Sequence, residues 1–154
     1  MSDWERRQQG REQPEAAVTL PAFPRPSALL PFFVSAASDF RFFVDGASLS
    51  VGGDGVVRYT LVARSPQGAE TVVYEGMRCA TREVRGYAAG RADGSWSRRD
   101  TPWRAIGDPS VQRWHRALAT EYLCPGKVPI QDAAEGVDAL RRGGHPRAVH
   151  RAGG

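Results

Sequence analysis

The chain has two cysteines, three histidines and no long apolar run, and each shortage closes off a class of protein. No stretch approaches the roughly 18 consecutive apolar residues that a membrane-crossing helix needs. The opening MSDWERRQQGREQPEAA has no apolar centre of the signal-peptide kind, so the chain reads as cytoplasmic or as one whose export signal is already gone. Two isolated cysteines lack the CxxC spacing of zinc or redox sites, and no metal or cofactor is expected. Of the histidines, His145 and His150 lie in the C-terminal tail, and His115 stands beside Trp114 on a helix flank, where packing accounts for it. A serine nucleophile would need a base and an orienting acid, and no GxSxG is present. Gly52-Gly53-Asp54-Gly55 lacks phosphate-loop spacing, and no helix follows it. Asp45, Glu75 and Glu83 could meet across strands as paired carboxylates. The plainer expectation is that Glu75 and Glu83 pair with Arg78, Arg82 or Arg85 on a solvated face. No catalytic constellation is predicted, and the chain reads as a non-enzyme.

What is present suits one globular domain. A chain of 154 residues can bury a core without metal or several disulfides. The net charge of +4 is carried by the tail RRGGHPRAVHRAGG, through Arg141, Arg142, Arg147 and Arg151; the remaining body is charge-balanced. A phosphate-binding domain concentrates positive charge on its folded surface instead. The expected division is a polar, then proline-rich extended segment over 1–30, a single domain over 31–142, and a flexible basic tail over 143–154. Leu20, Phe23, Leu29 and Leu30 could pin the first segment to the body; Trp4 is isolated.

Period-two patterning dominates the middle. In VVRYTLVAR, Val57, Tyr59, Leu61 and Ala63 fall on one face, with Arg58, Thr60 and Arg64 on the other. Gly52–Gly55 and Ser65-Pro66-Gln67-Gly68 are turn signals on either side of it. Further strands are predicted over Phe40–Asp45, the run LSV, Glu70–Cys79, Glu83–Ala89 and from Ser95-Trp96. Short turns between them call for antiparallel pairing. Beyond the strands, Asp108-Pro109-Ser110 is a helix-start signal, and Val111, Trp114, Leu118 and Tyr122 form a helical stripe. A second helix is predicted from about Gln131 to Arg142, with Ile130, Ala133, Ala134, Val137 and Leu140 inward and Gly143-Gly144 as its stop. The fold class expected is α+β: a single antiparallel meander of five to six strands packed against one or two C-terminal helices.

Spacing alone leaves Cys79 and Cys124 either bonded, closing a loop of 45 residues, or as two buried thiols. The segment FFVDGASLSVGGDGVVRYTLVARSPQGAETVVYEGMRCATREVRGYAAGRADGSW, with Trp103 to Ile106, WHRALATEYLC, LPAFP and DAAEGVDALRRGG, resembles the cryptic neisserial protein family. These are small proteobacterial proteins placed in the periplasm, with no established activity. A looser resemblance runs to the surface-adhesin E family, through the Val44-Asp45-Ser48 step, a hairpin, a strand ending in cysteine and a late helix. Together these resemblances imply a sheet backed by a helix, a Cys79–Cys124 bond and a periplasmic setting. Asp45 and Ser48 themselves need do no more than shape a bend between strands.

Two functional readings follow. One is a periplasmic or envelope module binding a protein or envelope component, with Arg58, Arg64, Tyr74 and Arg78 as a candidate surface. The alternative is a cytoplasmic nucleic-acid-binding protein that acts through its arginine-rich tail.

Overall fold

The computed structural model describes residues 15–108 and 112–148. Among the described residues eight strands form one antiparallel sheet: β1 (Leu29–Phe32), β2 (Arg41–Asp45), β3 (Ser50–Val51), β4 (Val57–Arg64), β5 (Glu70–Arg78), β6 (Glu83–Gly90), β7 (Trp96–Arg98) and β8 (Arg104–Ala105). Their order is β1-β2-β4-β5-β6-β7, with β3 beside β4 and β8 beside β6. Six strands thus form the expected meander. The two-residue β3 and β8 extend it, and β1 arises within the proline-rich stretch. The β2–β3 bend is closed by Asp45, which accepts hydrogen bonds from the Ala47 N–H at 3.0 Å and the Ser48 hydroxyl at 2.8 Å.

Two helices follow. The first, α1 (Trp114–Leu118), runs on as a π turn over Ala119–Leu123. The second, α2 (Ala133–Arg142), is capped by Asp132, whose side chain accepts the Glu135 N–H, and ends at Gly143 in the left-handed conformation (φ 79°) that glycine tolerates. The described part of α1 begins at Trp114, and Asp108 lies in a bend. Pro109, Ser110 and Val111 lie outside the described residues, as do Trp4, His150 and Arg151.

The core lies between one sheet face and these helices. Phe32, Phe42, Val44, Val57, Tyr59, Leu61, Ala63 and Met77 come from the sheet; Leu118, Tyr122, Leu123, Ile130 and Leu140 meet them. Burying such side chains contributes about 2 kcal/mol each. The predicted face Val57–Tyr59–Leu61–Ala63 is this inner one. Ile130, just before α2, and Leu140 within it are inward as expected, but Ala134 is exposed; Gly136 and Ala139 take the contact. Gly136 allows that approach, since a Cβ there would stand 2.5 Å from Leu49 and 2.7 Å from Ile130. Residues 143–148 turn back on the body: the His145 N–H donates to the Glu121 carbonyl at 2.7 Å, and His145 and Ala148 are buried.

Strand β4 is buried on its outer face too, where Arg58, Thr60 and Val62 are covered. Tyr74, Tyr87 and Ala88 form a second apolar cluster there, overlaid by Val18, Leu20 and Trp96. A β-bulge between Tyr74/Glu75 and Ala88/Gly86 inserts Tyr87 as the extra residue and turns its ring over Gly76.

Cys79, just past β5, is disulfide-bonded to Cys124, just past the π turn, with their Cα atoms 5.2 Å apart. The bond ties the sheet to the helical segment. In the chain-entropy model a loop of this length stabilises by roughly 4 kcal/mol. Reduction, or the double substitution Cys79→Ala/Cys124→Ala, should lower Tm by about 10 °C in a thermal melt. An unchanged melt would mean that the bond carries no stability.

Candidate functional site

The four residues predicted for binding all project from the outer sheet face but do not form one exposed patch. Arg58 and Tyr74 are on the outer sheet face and buried. Arg64 pairs with Glu70 at 2.7 Å near the far end of the β4–β5 hairpin. The Arg78 guanidinium lies 4.1 Å from the centre of the Trp103 ring. Arg58 is bound by Asp54 and Glu15, each at 2.8 Å.

An unforeseen cluster lies on the inner face. Glu75 shares parity with Val73 and Met77, so its side chain enters the core rather than the solvent, and only 8% of the residue is exposed. That overturns the expected pairing of Glu75 with arginines. Its Oε1 accepts from His115 Nε2 at 2.9 Å, the Tyr59 hydroxyl at 3.1 Å and Trp114 Nε1 at 3.5 Å. The other imidazole nitrogen of His115, Nδ1, is 2.9 Å from the Gln112 carbonyl. Both ring nitrogens therefore face acceptors, which assigns a proton to each and makes the ring an imidazolium. Burial alone would push His115 down; the charge of Glu75 and the bonds to Glu75 and Gln112 outweigh it and raise the ring above its usual value. Burial and the same carboxylate hold the Tyr59 phenol well above its ordinary value, so it remains a donor. His115 is thus an ion-pair partner rather than mere packing. The structural effect of this network is to fix the start of α1 on the sheet.

Trp114 carries that positioning outward. Its ring packs on Phe42 at 5.9 Å and forms one wall of a groove where the inner sheet face runs past α1. The groove encloses about 550 Å³ and is lined by Val34, Phe40, Phe42, Ala63, Arg113 and Trp114, with serines of the β1–β2 loop. A shallower extension beside it reaches Phe33 and Arg41. Phe33 is 68% exposed and Phe40 47% exposed, large apolar rings left to solvent at the groove mouth. Among the described lining residues there are two arginines and no carboxylate. The FF and FRFF runs held the signal for this site, but strand patterning alone does not tell a core phenylalanine from a rim one.

Among the described residues, no group of three His, Cys, Asp or Glu side chains could hold a metal ion. No helix there is long and apolar enough to cross a membrane. A sequence model of the CNP1-like family matches residues 8–141. No curated protein and no solved structure matches the chain.

The Glu75–His115 pair gives stability a definite pH dependence. A histidine raised in the folded state stabilises fully below its unfolded value of ~6.5, and that contribution is lost as pH rises through the folded value. Melts across this range should show Tm falling on the alkaline side. Glu75→Gln should abolish that slope and cost about 3 kcal/mol, because it strips the imidazolium of its counter-charge. A slope that persists in Glu75→Gln would assign it to another group.

Proposed function

This chain belongs to the CNP1-like family, and from that premise we propose a non-enzymatic binding module of the periplasm or envelope. Its binding site is the groove beside Trp114, and its ligand class is an anionic amphiphile. The single observation behind this reading is the pairing of exposed Phe33 and Phe40 with a groove holding arginines and no described carboxylate. An apolar concavity with a few convergent polar groups suits a small ligand, and Arg41 and Arg113 favour a negative head group over a positive one. The Cys79–Cys124 bond supports an oxidising compartment, as does the resemblance to periplasmic relatives. The looser resemblance to surface-adhesin E proteins agrees with an envelope setting.

Nucleic-acid binding through the tail has less in its favour. Arg147 is held by Glu135 at 3.0 Å, and the same carboxylate accepts His145 Nε2 at 2.8 Å. Glu135 thereby offsets the charge of Arg147.

Titration with the anionic dye 8-anilinonaphthalene-1-sulfonate tests the groove. Dye fluorescence should rise to saturation at one site, and Arg113→Glu combined with Phe40→Asp should weaken binding at least ~10-fold, about 1.4 kcal/mol. Unchanged affinity in that variant would remove the groove from consideration. For the compartment, alkylation of protein drawn from a periplasmic extract should leave both cysteines unmodified. Free thiols at both positions would contradict the periplasmic reading.

A further inference from the structure

The outer sheet face holds a second arrangement, independent of the groove. Residues 15–25 cross it without regular secondary structure. Side chains hold them there instead. The Glu15 carboxylate accepts from Arg58 Nη2 at 2.8 Å, from Arg85 Nη1 at 3.0 Å and from the Tyr87 hydroxyl. The Ala16 N–H donates to Asp54 at 3.0 Å, Arg98 donates to the Val18 carbonyl at 3.2 Å, and Trp96 Nε1 donates to the Pro21 carbonyl at 2.8 Å. Val18 and Leu20 pack on the Tyr74–Tyr87–Ala88 cluster, and Phe23 rests on Trp96 with ring centres 5.1 Å apart. This is how a folded surface holds an extended peptide: one charged anchor, carbonyls met by side-chain donors, and apolar side chains in turn.

The surface is shaped for that occupant. A Cβ on Gly90 would stand 2.9 Å from the Phe23 ring, and one on Gly76 would collide with the Tyr87 hydroxyl beside the Glu15 anchor. Asp54, held by Arg58 and by the Ala16 and Val56 N–H groups, is fixed as the acceptor; those bonds outweigh its burial and keep it below its ordinary value. Among the described residues the buried Nε atoms of Arg58 and Arg85 have no hydrogen-bond partner, so the cradle has more donor capacity than Glu15 uses. The segment is held by side-chain bonds and has no backbone ladder, and such a segment opens locally more easily than a ladder strand.

We propose that the outer face is a recognition surface for an extended acidic–apolar peptide, filled in cis by residues 15–24 and open to a partner's peptide of the same pattern. That pattern is an acidic residue followed at the third and fifth positions by aliphatic side chains and at the eighth by an aromatic one, as in Glu15, Val18, Leu20 and Phe23. A partner peptide competes with a tethered one, whose effective concentration is of millimolar order, so loosening the tethered anchor raises the apparent affinity for the competitor.

A fluorescent peptide of residues 15–24, EAAVTLPAFP, titrated into the full chain and read by anisotropy, provides the test. Glu15→Ala should bind it at least ~10-fold more tightly than the unaltered chain, and adding Arg58→Ala to that variant should remove the gain. A peptide with lysine for its glutamate should not bind. Equal or absent binding to the unaltered chain and to a folded Glu15→Ala variant would overturn the proposal. So would binding seen only as exchange between two copies, detected as a dimer by size exclusion. Should Glu15→Ala fail to fold, hydrogen exchange on the unaltered chain decides. Amides of residues 16–20 should exchange well before those of β4 to β6, and protection equal to those strands would contradict a replaceable segment.

Discussion

The carboxylate of Glu75 sets how sheet and helix meet. A charge carried to the inner face of a sheet costs several kcal/mol unless it is paired and hydrogen-bonded. Here the compensation comes from Tyr59 on the neighbouring strand and from Trp114 and His115 at the start of α1. Four residues further along, just past the end of the same strand, Cys79 bonds to Cys124 at the other end of the helical segment. The segment is thus held at both ends, once by an ion pair and once covalently. The π turn over Ala119–Leu123 lies between the two ties, where a wider turn places both Tyr122 and Leu123 in the core.

Both candidate surfaces depend on that frame. The groove exists because Trp114 is held against Phe42 and Glu75 while the β1–β2 loop leaves Phe33 and Phe40 outside. The outer face depends on the same strands from the other side. Arg58 and Tyr74 lie next to Tyr59 and Glu75 in sequence, so residues of one parity build the ion-paired core and residues of the other build the peptide-like contact with Glu15. Strand β5 serves both layers, which fits a sheet buried on two faces.

How far the chain could be read from its residues follows from what each pattern encodes. Period two placed Val57, Tyr59, Leu61 and Ala63 on the inner face because all four are apolar or aromatic and of one parity. The same parity placed Glu75 with Val73 and Met77, but a carboxylate is ordinarily a surface residue, and residue type outweighed position. Arg58 was read as solvated for the same reason; its acids, Glu15 and Asp54, lie 43 and 4 residues away, and only the first pairing is beyond local inference. The cover on the outer face was hidden because residues 15–25 bind through side chains and have no periodicity of their own. Bonding between Cys79 and Cys124 could not come from spacing, since a 45-residue separation fits a bridge and two thiols alike. The groove depends on which of several phenylalanines the β1–β2 loop leaves outside, a tertiary outcome.

The most direct measurement of the Glu75 tie is nitrogen-15 NMR of the His115 ring at neutral pH, assigned with His115→Gln. A charged imidazole with both nitrogens protonated, becoming neutral only above pH 6.5, is the predicted result. A neutral ring at pH 7 would contradict the ion pair and, with it, the claim that one buried carboxylate orients the helix on the sheet.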